Sequence, residues 1–152
     1  MTETCCALTG HRELDDAFDF IQLKNILRSL VLERGVSSFY CGMAIGFDTV
    51  ALECLLALKK DFPSIKIIAC IPCPEQADKF GKENKQRYYR LLSACDEKII
   101  LSERYTPGCM HLRNRYMVDN AQYLVAYYRK STGGTAYTVK YAESRGRKII
   151  YL

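Results

Sequence analysis

The feature that most constrains the fold of this chain is a regular alternation of short apolar runs with longer segments of helical spacing. Six runs have the length and composition of strands: Cys5–Thr9, Val36–Cys41, Ile65–Ile71, Glu97–Leu101, Tyr123–Tyr128 and Lys148–Leu152. Five segments between them are predicted helices: Leu14–Arg34, Thr49–Lys60, Glu83–Ala94, His111–Asn120 and Thr135–Arg145. Strict alternation favours right-handed crossovers. The sequence therefore predicts one α/β domain over residues 1–152, with a Rossmann-like, doubly wound and mainly parallel sheet flanked by helices.

The turn after the fifth predicted strand has the composition of an anion site. Gly133 and Gly134 allow a ligand to approach the backbone closely. Thr135 lies where the first free N–H groups and the positive end of the next helix point. Phosphate is the commonest ligand at such a position. The residues predicted to bind it here are Ser131, Thr132, Gly133, Gly134 and Thr135.

Two earlier turns, Thr9–Arg12 and Gly42–Asp48, also follow predicted strands. In an open parallel sheet, ligands bind beyond the carboxyl ends of the strands. All three turns should therefore converge on one pocket. The ligand-binding residues predicted in these two turns are Thr9, Gly10, His11, Arg12, Gly42, Met43, Ala44, Gly46 and Asp48.

Several of these residues have an equally simple structural explanation. Gly42 and Gly46 suit tight strand-to-helix packing as well as an anion. Asp48 is a favoured helix cap, and its alternative role is to accept hydrogen bonds from a ribose hydroxyl. A lone histidine in a turn, here His11, is more often structural than catalytic, whereas Arg12 is suited to a charged ligand.

The helix after the fourth strand opens with Arg113, Asn114 and Arg115. The fixed fork of guanidinium donors suits phosphate. Because the two arginines are two positions apart, they point to different sides of the helix, and only one is expected to face the ligand. A solvated helix face is the alternative for either arginine. Asn114 would contact a base or ribose, or satisfy backbone groups.

Composition narrows the class of partner. The 152 residues carry a net charge of +5 that is spread along the chain. This charge permits an anionic ligand, whereas a long nucleic acid normally requires a denser basic face. No apolar run reaches the length of a membrane span, and the N-terminus lacks the basic region of a secretory signal. We expect a cytoplasmic protein with no membrane partner.

The eight cysteines are expected to be reduced, because the cytosol disfavours disulfides. Four lie in predicted strands: Cys5, Cys6, Cys41 and Cys70. Cys70 and Cys73 have dithiol spacing, but Pro74 follows where a redox site needs a helix N-terminus. Cys109 and His111 form an isolated couple, so no metal site is predicted.

No nucleophile can be assigned from spacing. A hydrolase acting on an N-glycosidic bond would need a carboxylate near the anomeric carbon, and the candidates are Asp48, Glu53 and Asp119.

Five stretches together resemble the YpsA-like branch of the SLOG superfamily: Cys6–Arg12, Cys41–Asp48, Ile71–Gln76, Tyr105–Asp119 and Ser131–Ala142. The superfamily includes the DNA-processing protein DprA and the LOG phosphoribohydrolases. The resemblance implies a bacterial, Rossmann-like protein that binds a nucleotide or a nucleotide-derived ligand, often as a homo-oligomer. It does not imply one activity, because relatives include sensors, a single-stranded DNA binder and hydrolases.

The chain departs from the LOG pattern at its last turn. LOG enzymes carry Pro-Gly-Gly-x-Gly-Thr-x-x-Glu, with the glutamate in catalysis. Here the turn is one glycine short, Thr138 stands at the glutamate position, and Glu143 lies too far along the helix. Elsewhere, Glu13 replaces a frequent proline of the YpsA-like pattern, and Phe80 replaces a frequent tryptophan.

The leading functional prediction is therefore non-catalytic binding or sensing of a nucleotide or ADP-ribose-like ligand, with no certain cofactor. The alternative is an N-glycosidic hydrolase, which the departure at Thr138 disfavours. A further alternative is single-stranded DNA binding, for which eleven tyrosines offer stacking faces.

Overall fold

A computed structural model describes residues 3–152 and confirms the predicted alternation. Within this range the strands are β1 (Cys5–Gly10), β2 (Ser38–Cys41), β3 (Lys66–Ile71), β4 (Glu97–Ile100), β5 (Tyr123–Tyr127) and β6 (Lys148–Tyr151). The helices are α1 (Phe20–Arg34), α2 (Phe47–Asp61), α3 (Lys82–Ala94), α4 (Cys109–Asp119) and α5 (Gly134–Ser144).

The six strands form one parallel sheet in the order β4-β3-β2-β1-β5-β6. Strands β1 to β4 follow one another across the sheet in one direction. The chain then crosses back to the starting point, so that β5 pairs with the other edge of β1. The strand order reverses between β1 and β5, which leaves a crevice beyond their carboxyl ends. The predicted Rossmann-like, doubly wound fold is confirmed.

Helices cover both faces of the sheet. On one face α1, α2 and α3 pack over a core that includes Leu23, Phe39 and Leu55. On the other face α4 and α5 pack together over Met117 and Val139. Strands buried on both faces need apolar residues at successive positions, which explains the nearly continuous apolar runs in the sequence.

The start of the first helix corrects the sequence prediction. A helix was expected from Leu14, but α1 begins at Phe20. Asp19 caps it, since its carboxylate accepts the N–H groups of Ile21 at 2.9 Å and Gln22 at 3.1 Å.

The residues before Asp19 are held by β5 instead of by helical bonds. The N–H of Asp15 donates to the hydroxyl of Tyr127 at 2.8 Å, and Phe18 packs edge-on against the same ring. The apolar residues of this segment therefore have helical spacing without a helix, because they are anchored to the core by Tyr127.

The other element ends differ from the predictions by one or two residues. Gly46 and Gly108, both with φ of 85°, precede α2 and α4, so each helix begins two residues earlier than predicted. Gly35 ends α1 with φ of 68°, as expected for a glycine stop.

All eight cysteines, which lie within the described range, are unbridged. Burial raises the pKa of the Cys70 thiol to about 12 and that of Cys73 to about 11, which holds both thiols in the unreactive protonated form. In residues 3–152, no helix is both long and apolar enough to cross a membrane.

Candidate functional site

A cavity of about 600 Å³ opens at the carboxyl ends of the strands, where the sheet order reverses. This volume is typical of small-molecule sites. The structure brings twelve of the predicted ligand residues to its wall: Thr9, Gly10, His11, Arg12, Ala44, Asp48, Arg113, Asn114, Thr132, Gly133, Gly134 and Thr135.

Four predicted residues stand outside this lining. Ser131 is exposed beside the last turn, and Met43 is buried in the core with φ of 63°. Gly46 packs against the first turn so closely that a Cβ there would overlap the Arg12 carbonyl. Gly42 lies behind the wall and supports Arg113. The glycines of the second turn therefore serve close packing.

Two of the three candidate catalytic carboxylates also lie away from the cavity. Glu53 forms ion pairs with Arg87 and Arg90 of α3. Asp119 accepts a hydrogen bond from the Tyr141 hydroxyl at 2.7 Å and pairs with Arg145 at 3.4 Å. Asp48 is the one member of the three that lines the cavity.

The last turn presents open backbone donors to the cavity. Gly133 takes φ of 94° and precedes α5, and no side chain of the described residues caps this helix. Gly134 and Thr135 line the cavity directly. The first N–H groups of α5 therefore have no helical partner, and the positive end of the helix dipole lies at the cavity.

Thr138 is directed away from the cavity. Its hydroxyl donates to the carbonyl of Gly134 at 2.8 Å, and its side chain is fully buried. The position that holds a glutamate in the LOG pattern is thus occupied by a hydroxyl bonded within its own helix.

Two of the three guanidinium nitrogens of Arg113, Nε and Nη1, donate to oxygen atoms of the protein, and among the described residues Nη2 has only the sulfur of Met110 at 3.9 Å. The guanidinium donates to the carbonyl of Gly42, in the loop after β2, and to the carbonyl of Cys70, on β3, at 3.4 Å. Its Nε donates to the side chain of Asn114 at 2.7 Å. Only 5% of the residue is exposed, and burial lowers the pKa of its guanidinium. Arg113 therefore ties strand ends together and forms the floor of the cavity.

Gln76 completes this floor. Its amide nitrogen donates to the Gly42 carbonyl at 2.8 Å, and its oxygen accepts from the Tyr88 hydroxyl at 3.0 Å. One backbone carbonyl thus receives both the Arg113 and the Gln76 side chains. This convergence satisfies the buried donors on that side of the cavity.

Asp48 lies in the first turn of α2 and is 6% exposed. Its carboxylate accepts the N–H of Ala44 at 3.1 Å, so it does close the local turn. Burial raises its pKa to about 6, against the opposing effects of the positive Arg113, the Ala44 bond and Arg12.

His11 joins two turns. Its Nε2 accepts the backbone N–H groups of Arg129 at 2.7 Å and Lys130 at 3.1 Å. Burial, followed by the charges of Lys130 and Arg129, lowers the pKa of its imidazole. A neutral His11 therefore ties the turn after β1 to the segment that leads into the turn Ser131–Thr135.

Sequence reasoning missed eight lining residues: Leu8, Glu13, Gln76, Phe80, Met110, His111, Met117 and Lys130. Gln76 ends one of the family-like stretches and lies in the loop after β3, which was a usable signal. Leu8, Met110 and Met117 gave none, because an apolar residue beside a cavity looks the same in sequence as one in the core.

The fold is an α/β domain with a cavity at its topological switch point. The model of the YspA SLOG family (YpsA) matches residues 8–151, and the chain belongs to this family. The predicted resemblance is confirmed.

Two relatives illustrate the family. The uncharacterized SPbeta prophage-derived protein YoqJ of Bacillus subtilis is 31% identical over 134 residues, which cover 80% of this chain and 78% of YoqJ. A UPF0398 protein of Halalkalibacterium halodurans is 26% identical over 124 residues, covering 80% of this chain and 66% of the relative.

Solved structures share the fold. DNA processing protein A of Helicobacter pylori superposes with a TM-score of 0.70 at 16% identity, over 99% of this chain and 65% of that one. The same protein of Streptococcus pneumoniae gives 0.68 at 20% identity, over 98% and 50%. A molybdenum cofactor binding protein of Rippkaea orientalis gives 0.62 at 16%, over 99% and 77%. At these identities the likeness concerns the fold.

Proposed function

We propose that this protein binds a nucleotide or nucleotide-derived ligand of the ADP-ribose type in the cavity and acts as a binding or sensing module without catalysis. The observation that carries the proposal is one cavity that contains both the open N-terminus of α5 and the buried carboxylate of Asp48. The first suits a phosphate and the second suits a sugar hydroxyl.

Each part of the ligand can be assigned to the residues whose hydrogen-bonding groups are available in the cavity. The N–H groups at Gly134 and Thr135 would receive phosphate, with the exposed Arg12 and Lys130 as the mobile cations at the rim. Asp48 would accept from the ribose. Arg113 would contribute mainly positive charge from the floor, since its Nη1 and Nε already donate to protein oxygens.

The structural neighbours support binding as the common theme. The Helicobacter pylori protein is described as binding single-stranded DNA, and the Rippkaea protein as binding the molybdenum cofactor. The fold therefore accommodates different ligands. The cavity of this chain has the volume of a small-molecule site, which favours a free nucleotide over a strand.

Titration calorimetry with AMP, ADP, ADP-ribose and ribose 5-phosphate tests the proposal. Gly134→Glu places a carboxylate at the phosphate position, and Gly134→Gln is its uncharged control. A Cβ at Gly134 meets no atom within 4 Å, so both variants should fold. We expect Glu to weaken binding at least 10-fold more than Gln, as like charges repel at a helix N-terminus. Absence of binding by every compound, with no ligand co-purifying, would sink the proposal.

The second candidate is N-glycosidic hydrolysis, which one observation favours. Asp48 lines the cavity, and its pKa of about 6 suits general acid–base catalysis. Two observations disfavour it. The Thr138 hydroxyl is bonded within its own helix, and the carboxylates of Glu53 and Asp119 lie outside the cavity lining. Chromatography for free base after incubation with nucleoside monophosphates decides: release that Asp48→Asn lowers by about 10²–10⁴ supports an enzyme.

Three further expectations are open to direct tests. Single-stranded DNA binding would appear as a salt-sensitive gel shift that Gly134→Glu abolishes. The homo-oligomer that the resemblance implies would appear in light scattering coupled to size exclusion. The cytoplasmic location stays a prediction that fractionation of the source cells would check.

A further inference from the structure

His111 and Tyr137 form a stacked pair next to the turn Ser131–Thr135. Their ring centroids are 3.9 Å apart and their planes differ by 6°. His111 lies in the first turn of α4, and Tyr137 lies in the first turn of α5, three positions after Gly134. The stack therefore joins the N-terminal ends of two helices that both open at the cavity.

A hydrogen bond from Arg115 holds the Tyr137 side of this pair in place. The guanidinium of Arg115 donates to the Tyr137 hydroxyl at 2.6 Å. Arg115 is four positions after His111, so both project from the same side of α4 towards α5. Tyr137 is thus held by its hydroxyl at one end and by the His111 ring on one face, which orients the two aromatic planes in advance of any ligand.

One part of the His111 ring remains available. Tyr137 covers one ring face, yet His111 is exposed and lines the cavity. The neighbouring lining residues Met110, Met117 and Phe80 are apolar. An oriented aromatic ring with apolar neighbours is the environment in which a nucleic-acid base stacks.

We propose that His111 is the stacking platform for the heterocyclic base of the ligand, with Tyr137 and Arg115 as positioning residues. This rests on the proposed function, because a phosphate at Gly134 and Thr135 places the rest of the ligand beside the first turn of α5. The site is thereby specific for phosphates that carry a planar base, and a bare sugar phosphate binds without the stack.

The test compares AMP with ribose 5-phosphate, which lacks the base. In calorimetry we expect His111→Ala to weaken AMP binding by about 5- to 100-fold, the range for loss of one base–aromatic stack. Ribose 5-phosphate binding should change by less than about 2-fold. His111→Phe should restore AMP binding to within about 3-fold, because it returns a ring of similar shape.

The outcomes separate the two proposals. If none of AMP, ADP, ADP-ribose and ribose 5-phosphate binds the wild-type protein, with no ligand co-purifying, the proposed function fails and the platform fails with it. If both bind and His111→Ala weakens them equally, or AMP has no advantage over ribose 5-phosphate, the platform is wrong and the phosphate site stands. A change in melting temperature with unchanged AMP affinity would assign the stack to helix packing.

A second variant tests the positioning residues. Tyr137→Phe keeps the ring and removes the Arg115 hydrogen bond. We expect about a 2- to 5-fold loss for AMP and none for ribose 5-phosphate, because only the orientation of the stack loosens. Upfield shifts of the His111 ring protons on AMP addition should persist in this variant and be smaller than in the wild type. Unchanged shifts and affinity would remove Arg115 and Tyr137 from the proposal.

Discussion

Two walls of the cavity differ in how many of their polar groups already have hydrogen-bond partners. One is the floor formed by Arg113 and Gln76, and the other is the turn Gly133–Thr135. On the wall built around Arg113, the guanidinium and Gln76 both donate to the Gly42 carbonyl, and little of either side chain is exposed. On the wall formed by Gly133–Thr135, the backbone of α5 starts without a side-chain cap. The buried arginine, which looks like a phosphate ligand in sequence, is structural. The plain glycine turn has the uncapped backbone donors.

The largest expected effect concerns the satisfied wall. Arg113→Met removes the side-chain donor of the Cys70 carbonyl and one of the two donors of the Gly42 carbonyl, which keeps Gln76. It also removes the positive charge that acts most strongly on Asp48. Loss of one partner from a buried charged network costs about 3–5 kcal/mol. We expect this decrease in the free energy of unfolding in urea. Arg12→Met, at an exposed position on the same cavity, is the matched control and should change it by less than about 0.5 kcal/mol. Equal small effects would show that Arg113 is free for a ligand.

The second prediction concerns the charge of Asp48. Its folded pKa of about 6 lies above its ordinary value of 3.8, so the folded state binds the proton more tightly than the unfolded chain. Its contribution to stability is therefore present at pH 4 and is lost as pH rises through 6. Asp48→Asn also takes the carboxylate from the buried Arg113, so the readout is the change of the stability difference with pH. Between pH 4 and pH 7.5 the wild type should lose up to about 3 kcal/mol relative to Asp48→Asn. Urea unfolding of both proteins at both pH values checks this, and a difference that does not change with pH would contradict it.

The third prediction compares a glycine from each wall. A Cβ on Gly42 would lie 2.8 Å from the guanidinium carbon of Arg113, whereas a Cβ on Gly134 meets open space. Gly42→Ala should cost about 1–3 kcal/mol through overpacking. Gly134→Ala should be neutral or stabilising by up to about 1 kcal/mol, because it lies in a helix without strain. Thermal melts of the two variants measure the difference, and a similar cost at both positions would contradict it.

The contrast also shows what sequence can predict. Alternation of apolar runs and helical spacing was sufficient for the sheet and for the convergence of three turns at one edge. It could not reveal that Nη1 of Arg113 is already occupied, because its acceptors are carbonyls 43 and 71 positions away. The stack of His111 on Tyr137 is hidden for the same reason. Residue type gives a side chain's donors, whereas the partners that occupy them depend on packing across the sheet.

The start of α1 shows the same limit within the fold. Leu14 and Phe18 have helical spacing, and the true start at Phe20 is set by the Asp19 cap together with the hydroxyl of Tyr127. The cap could be read from sequence as an aspartate before an apolar run. The tyrosine that holds Asp15, 112 positions away, could not.

The smallest expected effect is at His11, which links the turn after β1 to the segment before the turn Ser131–Thr135. Its imidazole accepts two backbone N–H groups at that segment, and its pKa is lowered in the folded state. Protonation removes the acceptor, so stability is lost as pH falls through the unfolded value of about 6.5. Between pH 7.5 and 5.5 we expect the wild type to lose up to about 1 kcal/mol relative to His11→Gln, since an amide oxygen accepts at every pH.

Asp48 titrates in both proteins, so its opposite contribution cancels in this difference. If His11→Gln and the wild type show the same pH dependence, the imidazole does not hold the two turns together.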